Sequence, residues 1–138
     1  MKMISDIAAD DALKALLTGK VFADTTELKV YGQNEQPNTE LGTDYIRIMY
    51  NGNIRSLTNP IGVFEGNLAL SVYSESNTDG TAKKNRMKLL LAQVEELINN
   101  KSYESYTFKL STTPITPVTT DTTIGYAFTT LNVEWWTY

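Results

Sequence analysis

The chain has 138 residues and a formal charge of −4, and it contains neither cysteine nor histidine. That length implies one domain, and a hydrophobic content of 41% supplies a real core, which excludes global disorder. The missing residue types exclude disulfides, thiolate nucleophiles, Cys-based zinc sites and the Ser-His-Asp triad, leaving carboxylates, Lys and Tyr as the only catalytic chemistry.

The acidic balance argues against nucleic acid as the main partner, because phosphate binding needs a cationic footprint. The opening residues, Met1 to Asp6, carry no secretory pattern. No apolar run nears the ~20 residues of a spanning helix, so a soluble protein made in a cytoplasm, without a membrane partner, is expected.

In chain order, Ser5 is a candidate N-cap, with Asp6 in a first helical turn where the macrodipole favours an anion. Ile4 or Ile7, then Ala8, Ala12, Leu13, Leu16 and Leu17, make an apolar face, and Gly19 is a candidate stop. The helix either lies on a sheet of its own domain or docks on a neighbouring subunit. Glu27 to Tyr31 alternates as a short strand. Gly32 to Gly42 is polar and apolar-poor, an extended loop of unusual length. Tyr45 to Tyr50 reads as a strand with Ile46, Ile48 and Tyr50 on one face, and Asn51-Gly52 is the favoured hairpin pair leading into Asn53 to Leu57. Asn59-Pro60 marks a further turn.

The central stretch is Asn67 to Asn100. Leu68, Leu70 and Val72 alternate with Ala69, Ser71 and Tyr73, so this is a strand. A polar turn, Asn77 to Gly80, leads into a helix from about Thr81 to Asn100. Its Met87, Leu90, Leu91, Val94, Leu97 and Ile98 form one apolar stripe. A strand feeding a one-sided helix makes a two-layer core.

Tyr103 to Leu110 then reads as a strand. Ser111 to Thr123 is Thr/Pro-rich, with Pro114 and Pro117 forbidding a helix, and is an extended β-arm or loop. The chain closes with a strand over Ile124 to Trp136. Its apolar parity changes from Tyr126 and Phe128 to Leu131, Val133 and Trp135, which predicts a bulge near Thr129-Thr130. The fold class is α+β: a mixed, mostly antiparallel sheet of five or six strands with two helices packed on one face.

Candidate chemistry is sparse. Glu65 and Glu75 flank the central strand, but ten residues at ~3.3 Å each separate them far beyond any two-carboxylate mechanism. Asp10-Asp11 and Asp121 lack calcium-loop spacing, and no Gly-rich phosphate loop occurs. No cofactor and no metal is expected. The charges of the long helix are more informative. Lys83, Lys84, Arg86 and Lys88 fill its first turns and Glu95 and Glu96 its end, each opposing the macrodipole by roughly 0.3–1 kcal/mol. Either salt screens a solvated face, or an acidic surface on another copy or a partner offsets the cost. Trp135 and Trp136 are adjacent in an extended segment, so one must face outward, beside Tyr138. An outward Trp there is an interface anchor or a platform for a sugar or peptide.

In layout, the chain resembles the tail terminator (tail completion) proteins of long-tailed bacteriophages. The resemblance rests on the helix Ser5–Leu17, on the unit from Asn67-Leu-Ala-Leu-Ser-Val-Tyr73 to Met87-Lys-Leu-Leu-Leu-Ala-Gln-Val-Glu-Glu-Leu-Ile98, and on the closing Gly125-Tyr-Ala-Phe and Leu131-Asn-Val-Glu-Trp135. It also includes the proline-interrupted arm. Related neck and head–tail joining proteins share this layout. The resemblance implies a non-enzymatic virion protein of the tail or neck, assembled in a host cytoplasm. Its partners would be sister copies in a ring, commonly six-fold, with tail-tube and head-connector proteins, and DNA only as passing cargo. The expected interface residues are Lys83, Lys84, Arg86, Lys88, Pro114, Pro117, Trp136 and Tyr138. The alternative is a small non-catalytic module that binds a sugar or peptide through the C-terminal aromatic edge.

Overall fold

The structure is a computed structural model describing residues 6–32, 35–37, 44–50, 55–56, 64–111, 114, 116–121 and 124–137. The Ser5 cap, the Asn51-Gly52 and Asn59-Pro60 turns, most of the 32–42 loop and Tyr138 lie outside the described residues.

Helix α1 spans Asp6–Leu17. Ala9, Ala12, Leu13 and Leu17 are its buried face, the spacing of one helical stripe. Gly19 lies past its end with φ +77°, the left-handed stop that glycine adopts without strain. Two short strands follow, β1 (Phe22–Ala23) and β2 (Thr26–Glu27), paired antiparallel. The segment read as one strand over Glu27 to Tyr31 is therefore divided at the buried Leu28, and its second half is β3 (Lys29–Tyr31).

The main sheet is built on β4 (Tyr45–Tyr50), β5 (Arg55–Ser56), β6 (Phe64–Glu75), β7 (Lys101–Tyr103), β8 (Tyr106–Leu110), β9 (Thr116–Asp121) and β10 (Tyr126–Thr137). A six-strand path runs β3-β4-β6-β10-β8-β7, with β5 beside β6 and β9 beside β10. Only the β3–β4 pair is parallel among the described strands, so the sheet is mixed and mostly antiparallel, as expected. Helix α2 (Lys84–Ile98) and α1 pack together on one face. Met87, Leu90, Val94 and Ile98 are the buried stripe of α2, with Leu91 and Leu97 packed at its margin.

β6 and β10 form the spine. They pair antiparallel over twelve residues each, Tyr126 opposite Glu75 through Thr137 opposite Phe64, without a break. Leu68, Leu70 and Val72 of β6 and Leu131, Val133 and Trp135 of β10 meet the helices. Trp135 lies over Gly66: a β-carbon there would stand 2.6 Å from the indole, so only glycine fits.

Two strand expectations are corrected. β10 carries no bulge towards β6: Thr129 and Ala127 continue the buried odd-numbered face. Tyr126 and Phe128 belong instead to an aromatic cluster on the opposite face, where Tyr45 stacks on Tyr73 (4.5 Å between centroids) and Tyr73 on Phe128 (5.2 Å). The parity change records two apolar faces. A register shift does occur between Phe128 and Thr130, but against β9, where Thr116 to Thr119 spans one residue more than Phe128 to Thr130. Pro117 sits in that extra length, where no ladder N–H is required of it.

The second correction concerns Tyr103 to Leu110. It is a hairpin, β7 and β8, turning at Glu104-Ser105 with Glu104 at φ +55°. The Thr/Pro-rich segment, in its described part, is the strand β9 pairing with β10, so it runs along its own domain.

Candidate functional site

The cationic start of α2 has no helix-capping help of its own. Lys83 is the N-cap residue without a side-chain cap bond, and no acid sits in the first turn. The compensation comes from Asp44, forty-two residues away in sequence and 4% exposed. Its Oδ2 accepts from Arg86 Nε at 2.7 Å and from the Ser74 hydroxyl at 3.2 Å, and its Oδ1 accepts the Glu75 backbone N–H at 2.9 Å. One carboxylate thereby ties the start of β4, the end of β6 and the first turn of α2. Three bonds satisfy a buried anion that would otherwise be costly. Arg86 Nη1 also lies 3.9 Å from the exposed Asp24 carboxylate.

Around Arg86 the surface forms a groove of about 580 Å³ between the β1–β2 hairpin and α2. Its lining includes Phe22, Ala23 and Asp24 on one side and Lys83, Arg86, Leu89, Leu90 and Gln93 on the other. Arg86, Leu89, Leu90 and Gln93 follow helical i, i+3, i+4, i+7 spacing, which puts them on one flank. Gln93 holds the hairpin to the helix: its Oε1 accepts the Phe22 N–H at 2.9 Å and its Nε2 donates to the Phe22 carbonyl at 2.8 Å. A side-chain amide thus takes the place of a neighbouring strand. Phe22 and Leu89 remain 41% and 67% exposed at the rim.

The remaining interface candidates are scattered. Lys84 and Lys88 are exposed on the flank of α2 away from the groove lining, and among the described residues neither forms an ion pair. Arg86 does not belong with them as a free cation, because Asp44 engages it internally. Trp135 is sealed and Trp136 half-buried on the opposite face of the sheet, which resolves which tryptophan faces outward. Pro114 and Pro117 are exposed at the β9 edge, away from the groove lining. The structure therefore places Lys83 and Arg86 at the groove, and does not bring Lys84, Lys88, Trp136 or the prolines to it.

Sequence reasoning missed Phe22, Asp24, Asp44, Leu89 and Gln93. Leu89 carried a readable signal, since it is a leucine off the apolar stripe and amid cations. Asp44 carried none, since nothing local marks a residue that acts across the fold.

On the opposite face, burial pushes the Tyr45, Tyr73 and Tyr126 phenols above their ordinary range. Neighbouring tyrosines add to the effect at Tyr45, and Arg47 works against it at Tyr45 and Tyr73. No cluster of three or more metal-ligating side chains occurs among the described residues, and no described helix is long and apolar enough to cross a membrane. Glu65 and Glu75 lie on one continuous strand, about 33 Å apart at ~3.3 Å per residue, so they form no acid pair. Comparison with protein-family models and with curated proteins finds no match to this chain.

Proposed function

We propose that this chain is a non-catalytic assembly protein that works by contact with copies of itself and with other structural subunits. The resemblance to phage tail terminators makes the specific form of that reading a ring, commonly six-fold, at the head-proximal end of a tail tube, joined to the head connector. The observation that carries it is the groove at the start of α2. An acidic chain concentrates four of its twelve cations at one helix end, where the helix dipole disfavours them, and two of these, Lys83 and Arg86, line the groove with the exposed Phe22 and Leu89. Such a surface supports protein contact better than turnover, since it presents apolar rim, fixed charge and no acid–base pair. The Thr/Pro-rich arm contributes less to this reading than its composition suggested, because β9 is spent on β10. A net negative charge suits a passage for DNA, which it repels.

The test is light scattering of the purified protein, alone and with tail tubes. Self-association or capture by tubes is expected, with no turnover of any substrate. A strict monomer that ignores tubes overturns the reading.

A second reading has its own observation. Trp136 is half-buried on the face of the sheet opposite the helices, opposed across the strands by Glu65 and Thr107. A sugar or peptide stacked on it would quench the outward tryptophan. A flat fluorescence titration across glycans and peptides removes that reading.

A further inference from the structure

Helix α2 has a solvent face separate from its groove flank. Asn85, Lys88, Ala92 and Glu95 are all exposed on it, and Asn99 follows at the C-cap. None of the five lines the groove. Their alternating spacing of three and four residues is that of a seam between two helices. From Asn85 onward the seam reads amide, cation, methyl, acid, amide. Reversed, it presents an acid opposite each cation. Lys84 and Glu96 extend the same order, cations first and acids last. Within one copy this order is unfavourable throughout. Both ends oppose the helix dipole, and Lys84 and Lys88 repel one turn apart. Among the described residues no ion pair engages Lys84, Lys88, Glu95 or Glu96.

We propose that α2 of one copy packs antiparallel against α2 of a second copy, across a two-fold axis at Ala92. The proposal deepens the assembly reading above and rests on its self-association. At 1.5 Å rise per residue, Lys88 lies about 6 Å before the axis and Glu95 and Glu96 about 5–6 Å after it. Each Lys88 therefore stands level with the partner's acids, and Asn85 level with the second copy's C-cap amide. The cations of each helix also come to rest beside the negative end of the other. A purely acidic partner would satisfy the lysines and repel Glu95 and Glu96, and a basic one would do the reverse. A reversed copy of the same helix satisfies both. Ala92 at the centre is small and exposed, so the helices can approach to the ~8 Å limit of helix packing. A two-fold contact joins copies in pairs, in addition to the head-to-tail contacts that close a ring.

Two measurements test the contact together. In sedimentation, Lys88→Glu and Glu95→Lys should each weaken self-association by about tenfold, since each reversal turns two symmetric attractions into repulsions. Mixed in equal amounts, the two variants match acid to cation at both sites and should associate like the wild type. The second measurement uses the absence of native cysteine. Ala92→Cys places two thiols at the axis, within the ~7 Å between α-carbons that a disulfide spans. Asn85→Cys leaves them about 21 Å apart along the helices. Under mild oxidation the first should form a homotypic dimer at least about tenfold faster than the second. A mixture no stronger than either charge variant, or equal disulfide rates, overturns the contact. Circular dichroism on all four variants excludes unfolding as the cause. Tube capture by the wild-type chain is measured separately. Capture without the Ala92→Cys dimer leaves the ring reading standing and rejects this contact. The dimer without capture retains the contact and rejects the ring on a tube.

Discussion

Trp135 and Trp136 are chain neighbours in different surroundings. Trp135 is fully buried over Gly66, opposite Phe108 on β8 and 5.5 Å from the ring of Tyr106. Trp136, one residue on, shares its face with Glu65, Thr107, Asn132 and Glu134 and is half-buried. The same contrast runs the length of β6 and β10. One face is a closed core under two helices, and the other ends in stacked aromatics and carries amides, hydroxyls and charges beside Ala69 and, on β4, the exposed Met49. The closed face holds the fold, while the open face and the helix surface are left for contact.

The largest test of that contrast is truncation of each tryptophan. Trp135→Ala should cost about 3–5 kcal/mol in urea unfolding, as a large buried ring leaves a cavity. Trp136→Ala should cost about 1 kcal/mol or less. Equal costs would mean that the open face is as much core as the helix face. Since the chain has two tryptophans, Trp136→Phe leaves a blue-shifted emitter and Trp135→Phe a red-shifted one.

Asp44→Ala comes next, at about 2–4 kcal/mol, because it strands the Glu75 N–H, the Ser74 hydroxyl and the Arg86 guanidinium together. Arg86 is about one-third exposed, so water relieves part of the loss and the lower half of that range is expected. Gly66→Ala should follow at about 1–3 kcal/mol, since its β-carbon would overlap the Trp135 indole.

The open face has a signature of its own in pH. Folding raises the phenol of Tyr45, and those of Tyr73 and Tyr126, above the ordinary value of 10. Above that value the unfolded chain releases these protons while the folded chain keeps them, so the unfolded state binds fewer protons and stability falls as pH rises. The contribution is fully present below pH 10 and is lost progressively above it. Urea midpoints measured across that range should drop, and Tyr45→Phe should flatten the drop. An unchanged alkaline slope in the variant would place Tyr45 in water.

Much of this was legible beforehand, and the reason is local. The helical stripe from Met87 to Ile98 and the alternation in β6 are each written within one element. What escaped was written across elements. The parity change in β10 has one meaning if a strand has a single apolar face and another if it has two, and only Tyr45 and Tyr73 on other strands decide between them. The β9 pairing was obscured by prolines that bar a helix but tolerate an edge strand. The groove depended on a hairpin too short to show a period, fixed to α2 by Gln93.

The smallest effect carries an unusual sign. Lys84 opens α2, is exposed and, among the described residues, has no ion-pair partner. A cation there works against the helix dipole, so Lys84→Glu should stabilise the isolated fold by about 0.3–1 kcal/mol. The same change reverses the charge of an exposed cation at the helix start proposed for assembly, and should weaken self-association. Arg86 separates the two roles, because its charge is already matched by Asp44 and its removal costs stability first. A Lys84→Glu chain that is both more stable and less associated marks the lysine as kept for contact. One that is more stable and associates as before removes Lys84 from the interface and leaves the groove's apolar rim as its remaining basis.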